Sequence, residues 1–499
     1  MNRPVSTALW VPVGVAVVLG VAAFVGPPDS VVRDRPGQLE PVVRSTAVCP
    51  YVGGEPRAVS HVGVLPLGGA ASEQSEAEPE PVVVQPLLGT EVEATTLLSA
   101  TAPGVLTAAE VDTATASGYA VRAVGALAPG LAAEQAMLAQ GPDFRGLVNG
   151  RCSAPAREHW FVGGSGEVGR RGRLVLSNPT NVPAVVDVSV WNESGPVDAP
   201  ATRDIAVPPQ GQQILLLDAL DPGAAQVAVR VVASQGRVAA ALEVRESDGL
   251  QPQGVSMVPE AVAPATRVVV PGVPGHGQRV LRVLAPGDTD AIVALRLLGT
   301  DGPFGPVGQD VLTVTAGTVL EVPIGDAAGE VPVSVSLESD APVTAAVRVV
   351  DTAADGLPEL AYTAATAPLD GPAPAVLGRS GSGLTTSLLV GNVGELPARA
   401  QVRTLAADGT VATDQTIDVP GGSTAQVAVE LPSGASWATV VVEPAEPGTI
   451  VVTREIVGTD DDGALLDLMP LVAPAVTVQV PEVAAELPTG LAPAGPIER

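Results

Sequence analysis

Three stretches of this chain repeat one another at a fixed interval. LVLSNPTNVPAVVDVSVW opens at Leu174, LRVLAPGDTDAIVALRLL at Leu281 and LLVGNVGELPARAQVRTL at Leu388, each 107 residues after the last. The same offset aligns Asp248-Gly249, Asp355-Gly356 and Asp462-Gly463, so both ends of the unit recur. Self-similarity on this scale decides the architecture before any motif does, because copied units fold alike and stack on their neighbours. A more divergent copy precedes the three, with AVRAVGALAPGLAAEQ from Ala120 matching AVRVVASQGRVAAALE from Ala228.

Inside the unit the pattern is that of strands. Val186, Val188 and Val190 alternate with Asp187 and Ser189, and Val293, Leu295 and Leu297 repeat the alternation around Ala294 and Arg296. A period of two places one set of side chains in a core and the other in water. Six or seven such strands in about a hundred residues, separated by turn signals, describe an immunoglobulin-like β-sandwich. Propeller blades are about half this length. Aromatic residues are only 2% of the chain, so its cores must be assembled from Val, Ala and Leu, which suit pleated surfaces. Gly and Pro make up 104 of 499 residues, but 46% hydrophobic content argues for folded repeats rich in turns rather than disorder.

The expected fold class is therefore all-β, a tandem array of four immunoglobulin-like β-sandwich repeats after an N-terminal membrane segment. The expected boundaries are a signal or anchor at 1–30, a linker at 31–46, repeats at 47–155, 156–263, 264–371 and 372–478, and a loose tail at 479–499. An acidic stretch, SEQSEAEPEP from Ser72 to Pro81, reads as a solvated loop of the first repeat.

The membrane segment is the uncharged run Ala8 to Val25, preceded by Arg3. Its 18 residues barely span a bilayer, and the small-x-small pair Gly20 and Ala22 would leave a short hydrophobic region if cut. An uncleaved single-pass anchor and a cleaved signal both remain open, and either places the bulk of the chain outside the cytoplasm. Cys49 and Cys152, the two cysteines, then lie where disulfides persist, and we expect them to pair. Closing a loop of about a hundred residues stabilises by ~4–5 kcal/mol in the chain-entropy model.

A net charge of −28 repels phosphate backbones, which excludes nucleic acid as a partner. The chain contains no lysine, so GxxxxGK[ST] phosphate-binding loops are excluded as well. GGSG at Gly163 to Gly166 is followed by Glu167 and so fails as a nucleophile elbow, reading instead as a hairpin turn. His61, His159 and His276 stand apart from one another and from the cysteines, without metal-ligand spacing. Asp460-Asp461-Asp462-Gly463 departs from calcium-loop spacing and reads as a charged turn, with calcium binding left open.

The segment HWFVGGSGEVGRRGRLVLSNPTNVPAVVDVSVWNESG resembles exported actinobacterial and related bacterial proteins grouped only as a domain of unknown function. Trp160, Phe161, Gly163, Gly164, Asn178 and Pro179 carry the opening of that motif, and Val238 to Glu246 its close. The resemblance spans roughly residues 47 to 475. It implies a β-sandwich, export and an unknown activity, with no catalytic residues to transfer. The third and fourth copies have Val269-Val270 and Val376-Leu377 in place of the aromatic pair.

The function expected from these readings is a non-catalytic, exported, membrane-anchored structural or interaction protein of the cell envelope, with no cofactor and no metal. Its partner would be an envelope protein or glycan. The candidate interaction residues are Trp160 and Phe161, which could stack on sugar rings, and Arg170, Arg171 and Arg173, the one basic cluster, which could meet an anionic polymer. Their bland alternative is a solvated hairpin flank. A carbohydrate-binding or envelope-assembly accessory is the second expectation, and an enzyme a distant third.

Overall fold

A computed structural model describes residues 38–50, 58–68, 80–90, 95–111, 118–141, 144–353, 356–378 and 383–480. The membrane segment at 8–25 and nearly all of the acidic stretch at 72–81 lie outside the described residues. No helix among the described residues is long and apolar enough to cross a membrane. Residues 41–476 form one compact body. Gln38–Pro41 and Thr477–Val480 pair with each other as a two-stranded ladder.

The body is all-β and antiparallel. In the repeat containing Leu174 the strands in chain order are Glu158–Val162, Arg170–Asn178, Ala184–Trp191, a fourth in two pieces at Pro196–Val197 and Ile205–Val207, then Gly211–Leu216, Ala228–Gln235, Ala239–Asp248 and Gln251–Val258. Strands one, six, three and four make a front sheet, and strands five, two, seven and eight a back sheet. The same order recurs in the three other repeats. In the third, strands six and seven are one continuous segment, Val333–Thr352, that passes from the front sheet to the back.

Relative to an immunoglobulin domain, the pairings of strand two with five and three with six are kept. The first and seventh strands have exchanged sheets, and an eighth strand is added beside the seventh.

The alternation in the third strands is real in three dimensions. Val186, Val188 and Val190 are buried while Ser189 is exposed, and Val293, Leu295 and Leu297 are fully buried around exposed Arg296. Leu174, Leu281 and Leu388 each sit fully buried at one place in a second strand, facing Leu242, Val347 and Arg454 across the ladder to strand seven. Each repeat has its own apolar core. In the first, Cys49 and Cys152 join strand one to the end of strand eight through the expected disulfide, with a sequence separation of 103.

The repeats do not run out as a string. The front sheet of each packs face-on against the back sheet of the next: Val48, Leu87 and Ala120 against Ala239, then Trp160, Val162 and Trp191 against Leu284, Val319 and Ala346. Between the third and fourth repeats Gly272 approaches Leu389 and Thr453, and the Thr424 hydroxyl donates to the Leu298 carbonyl at 2.7 Å. The fourth front sheet then covers the first back sheet, with Val376 and Trp437 on Leu65 and Leu106. Eight sheets thus close a circle.

Two-sided burial changes how strands read. Leu388, Leu389 and Val390 are all fully buried, a continuous apolar run in place of alternation.

Candidate functional site

Closing the circle brings the four eighth strands together, Arg145–Arg151, Gln251–Val258, Pro358–Ala364 and Ala464–Pro470, each touching the next and the last touching the first. Each of them also completes the preceding repeat. Leu360 and Tyr362 of the third repeat lie in the second core, and Leu466 and Leu468 of the fourth lie in the third. Val255 and Met257 pack on Met137 and Phe144, and Leu147 packs on Ile456 and Leu465, which finishes the cycle.

This axis is where buried charge collects. Glu359 is fully buried, and its carboxylate accepts backbone N–H bonds from Leu147 at 3.1 Å, Val255 at 2.8 Å and Leu360 at 3.1 Å, three equivalent positions in three repeats. Burial pushes its pKa well up, and the three N–H donors and Arg145 pull against that. The carboxylate fits because Gly146 and Gly254 stand beside it: a Cβ on either would lie 2.4 Å from a Glu359 oxygen, and both have positive φ, +149° and +118°. One carboxylate therefore ties three strands.

The second group sits where the fourth repeat meets the first. Arg454, 1% exposed, donates to Glu134 at 2.7 Å and lies 3.7 Å from Asp467, and Asp467 accepts the Asn149 N–H at 3.1 Å. The other Glu134 oxygen accepts the Val376 N–H at 2.9 Å. Burial raises the Asp467 pKa to about 6, opposed by Arg454 and by Asn149. Arg145 pairs with Asp460 at the lower end of the same junction, with Nε at 3.2 Å. Asp460 also accepts the N–H groups of Asp462 and Gly463, so the DDDG stretch is a tight turn organised around one carboxylate. Among the described residues no group of His, Cys, Asp and Glu is arranged to hold a metal.

The histidines are structural. His159 lies between Glu260 at 2.9 Å and the Val238 carbonyl at 2.8 Å. His61 meets the Trp437 ring edge-on, with centroids 5.0 Å apart. His276 bridges Asp351 at 3.2 Å and Glu455 at 3.0 Å, and Ser387 donates to Glu455 at 2.6 Å. The row Asp351, His276, Glu455, Ser387 has the residue types of a nucleophile relay. Both imidazole nitrogens are engaged by carboxylates, however, so the ring cannot take a proton from the serine. The two acids raise His276 to about 9, which makes it a cationic clamp between the third and fourth repeats.

The candidate interaction residues lie mostly inside the molecule. Phe161 is 1% exposed and belongs to the second core. Trp160 is 5% exposed, stacked on Trp191 with centroids 5.6 Å apart, and Arg230 covers its ring at 5.1 Å. Neither offers a free face for a sugar. Arg170 is paired with Glu246, which also holds Arg348 of the third repeat, and Arg173 lies 3.8 Å from Glu243. Arg171 is the exposed member of the cluster. Asn178 of the Asn-Pro pair is a brace: its amide donates to the carbonyls of Val182 and Val207, and its oxygen accepts the Thr180 N–H. Asn392 repeats this on Leu396, Val419 and Gly394.

Glu134, Glu359, Arg454 and Asp467 did not stand out in the sequence reading. The available signal was a lone charge inside an apolar strand, as in LAAEQAML, PELAYTA, VVTREIV and ALLDLMP.

The architecture is a closed circle of two-sheet units fastened at a charged axis. The chain belongs to a family of unknown function (DUF5719), whose model matches residues 105–430. No curated protein matches it. Among solved structures it is similar to a biofilm-associated protein, BSP domain, at 9% identity and a TM-score of 0.14, over 90% of this chain and 99% of that one. It is also similar to an α-L-rhamnosidase of Streptomyces avermitilis complexed with L-rhamnose, at 9% identity and a TM-score of 0.12, over 83% of this chain and 54% of that one. At these scores neither bears on fold or function.

Proposed function

We propose that this chain is a non-catalytic, exported scaffold of the cell envelope, built from four divergent copies of one immunoglobulin-like sandwich and held to the membrane by residues 8–25. The observation that carries this reading is the Cys49–Cys152 disulfide, buried in the first core, since such bonds persist outside the reducing cytoplasm. The use of interior charge supports the absence of catalysis: Glu359, Arg454, Glu134 and Asp467 join strands and repeats. The partner in this reading is an envelope protein. Burial of Trp160 and Phe161 weighs against stacking on glycan.

The test is the redox state in the native cell. Acid-quenched alkylation of intact cells is expected to find both cysteines oxidised, with a gel shift on reduction. Free thiols in living cells would remove export, and with it the envelope role. Photo-crosslinking on the same cells would then identify the partner.

A further inference from the structure

At the end of the axis where the eighth strands finish, the four repeats enclose a cavity of about 70 Å³, to which all four contribute. A few ordered waters would fill it, or a small polar head with a short apolar stub in their place. Its walls are largely apolar, with Phe161, Met257, Leu468 and Met469 among them. Two donors interrupt those walls. Arg151 lines the recess and is exposed to solvent. Among the described residues it has no ion pair. The acids nearest to it in effect are engaged elsewhere, Glu260 by His159 at 2.9 Å and Glu134 by Arg454 at 2.7 Å. The second donor is the Asn149 side-chain nitrogen, in a residue 5% exposed, which has no hydrogen-bond partner.

Arg145, Arg170, Arg282, Arg348 and Arg454, which also lie between repeats, have carboxylate partners, and among the described residues Arg151 has none. A guanidinium without an ion pair beside a buried amide nitrogen without an acceptor is half of a hydrogen-bonding site, and for the amide burial without an acceptor is costly. We propose that the axial cavity binds a monoanionic carboxylate, with Arg151 supplying the fork and Asn149 a further N–H. A carboxylate matches the planar fork through two parallel hydrogen bonds. One negative charge is the least an anion can bring to a recess that Glu260 also lines. A phosphate dianion would bring a second, uncompensated charge into the recess beside Glu260. The size of the recess restricts the ligand to a carboxylate bearing a few carbons, either a free short-chain acid or the C-terminus of a peptide with a small last residue. The site stands whether or not the chain is exported.

Calorimetric titration of the full chain tests this with three probes: propionate, trialanine with a free C-terminus, and trialanine amide. Saturable binding of propionate alone supports the site and assigns it to free acids. Binding of the free-acid peptide but not the amide supports it and assigns it to chain ends. Arg151→Gln is expected to weaken either at least tenfold, and Arg151→Lys, which keeps charge but loses the fork, by an intermediate factor. Arg296→Gln, at an exposed arginine outside the recess, should leave binding unchanged. No saturable binding of any probe to folded wild-type protein, or equal binding by Arg151→Gln, would overturn the proposal.

Discussion

The junction between the second and third repeats and the junction between the fourth and first do the same geometric task with different chemistry. At the first, two stacked tryptophans, Trp160 and Trp191, meet Leu284, Val319 and Ala346, and the centre is apolar. At the second, Val376, Leu65 and Leu106 share the surface with a buried Arg454, Glu134 and Asp467. Consecutive repeats are joined by chain, so their effective concentration is high and the correct partner needs little selection. The fourth and first are hundreds of residues apart. Four similar front sheets could each dock on four similar back sheets, and a head-to-tail contact that fails to close propagates into filaments. A charge pattern unique to one junction selects the intramolecular partner, because wrong pairings leave those charges unmatched.

The contrast can be broken by substitution. Arg454→Met should destabilise by ~3–5 kcal/mol, since it leaves Glu134 and Asp467 buried without their cation. Removing those acids as well, in a triple variant with Glu134→Met and Asp467→Leu, should recover most of that loss in denaturant unfolding and yield oligomers, as specificity is lost. Trp160→Ala should also cost ~3–5 kcal/mol, with no polar substitution restoring it. If the triple variant stays strictly monomeric, the charges do not select the partner.

Titration sharpens the same comparison. Asp467, raised to about 6 from 3.8, holds its proton more tightly in the folded chain than in the unfolded one. Its contribution is therefore greatest below pH 4 and declines as pH rises to 6, by at most ~3 kcal/mol. Asp467→Asn should flatten stability across that window. His276 contributes fully below its unfolded value of 6.5 and loses that contribution as pH rises through about 9, so His276→Gln should flatten the alkaline side. At 40% exposure its effect is the smaller of the two.

A still smaller effect belongs to the axis. Gly146→Ala should cost ~1–3 kcal/mol, because its Cβ would displace the Glu359 carboxylate from its three N–H donors. Unchanged stability would mean that Glu359 does not tie the strands.

Much of this was readable beforehand. The 107-residue spacing of Leu174, Leu281 and Leu388 marks equivalent buried positions, the alternation around Val188 and Leu295 marks third strands, and the cysteine pair is bonded. Circular closure was not readable, because period-two patterns report which face is buried and not what buries it. Nor do they reveal that Leu360 or Leu466 completes a neighbour's core. Trp160 and Phe161 misled for the same reason: aromatic residues at a strand start suit a binding edge and a packed junction equally well. The interior charges were hidden by composition, since 54 acidic residues offer no way to see which one is buried.

Small-angle X-ray scattering on residues 41–476 tests the closed circle most directly. One compact body of this size has a radius of gyration of about 22–24 Å. Four ~100-residue units in a row would give about 40 Å with an elongated distance distribution, and that result would contradict the account.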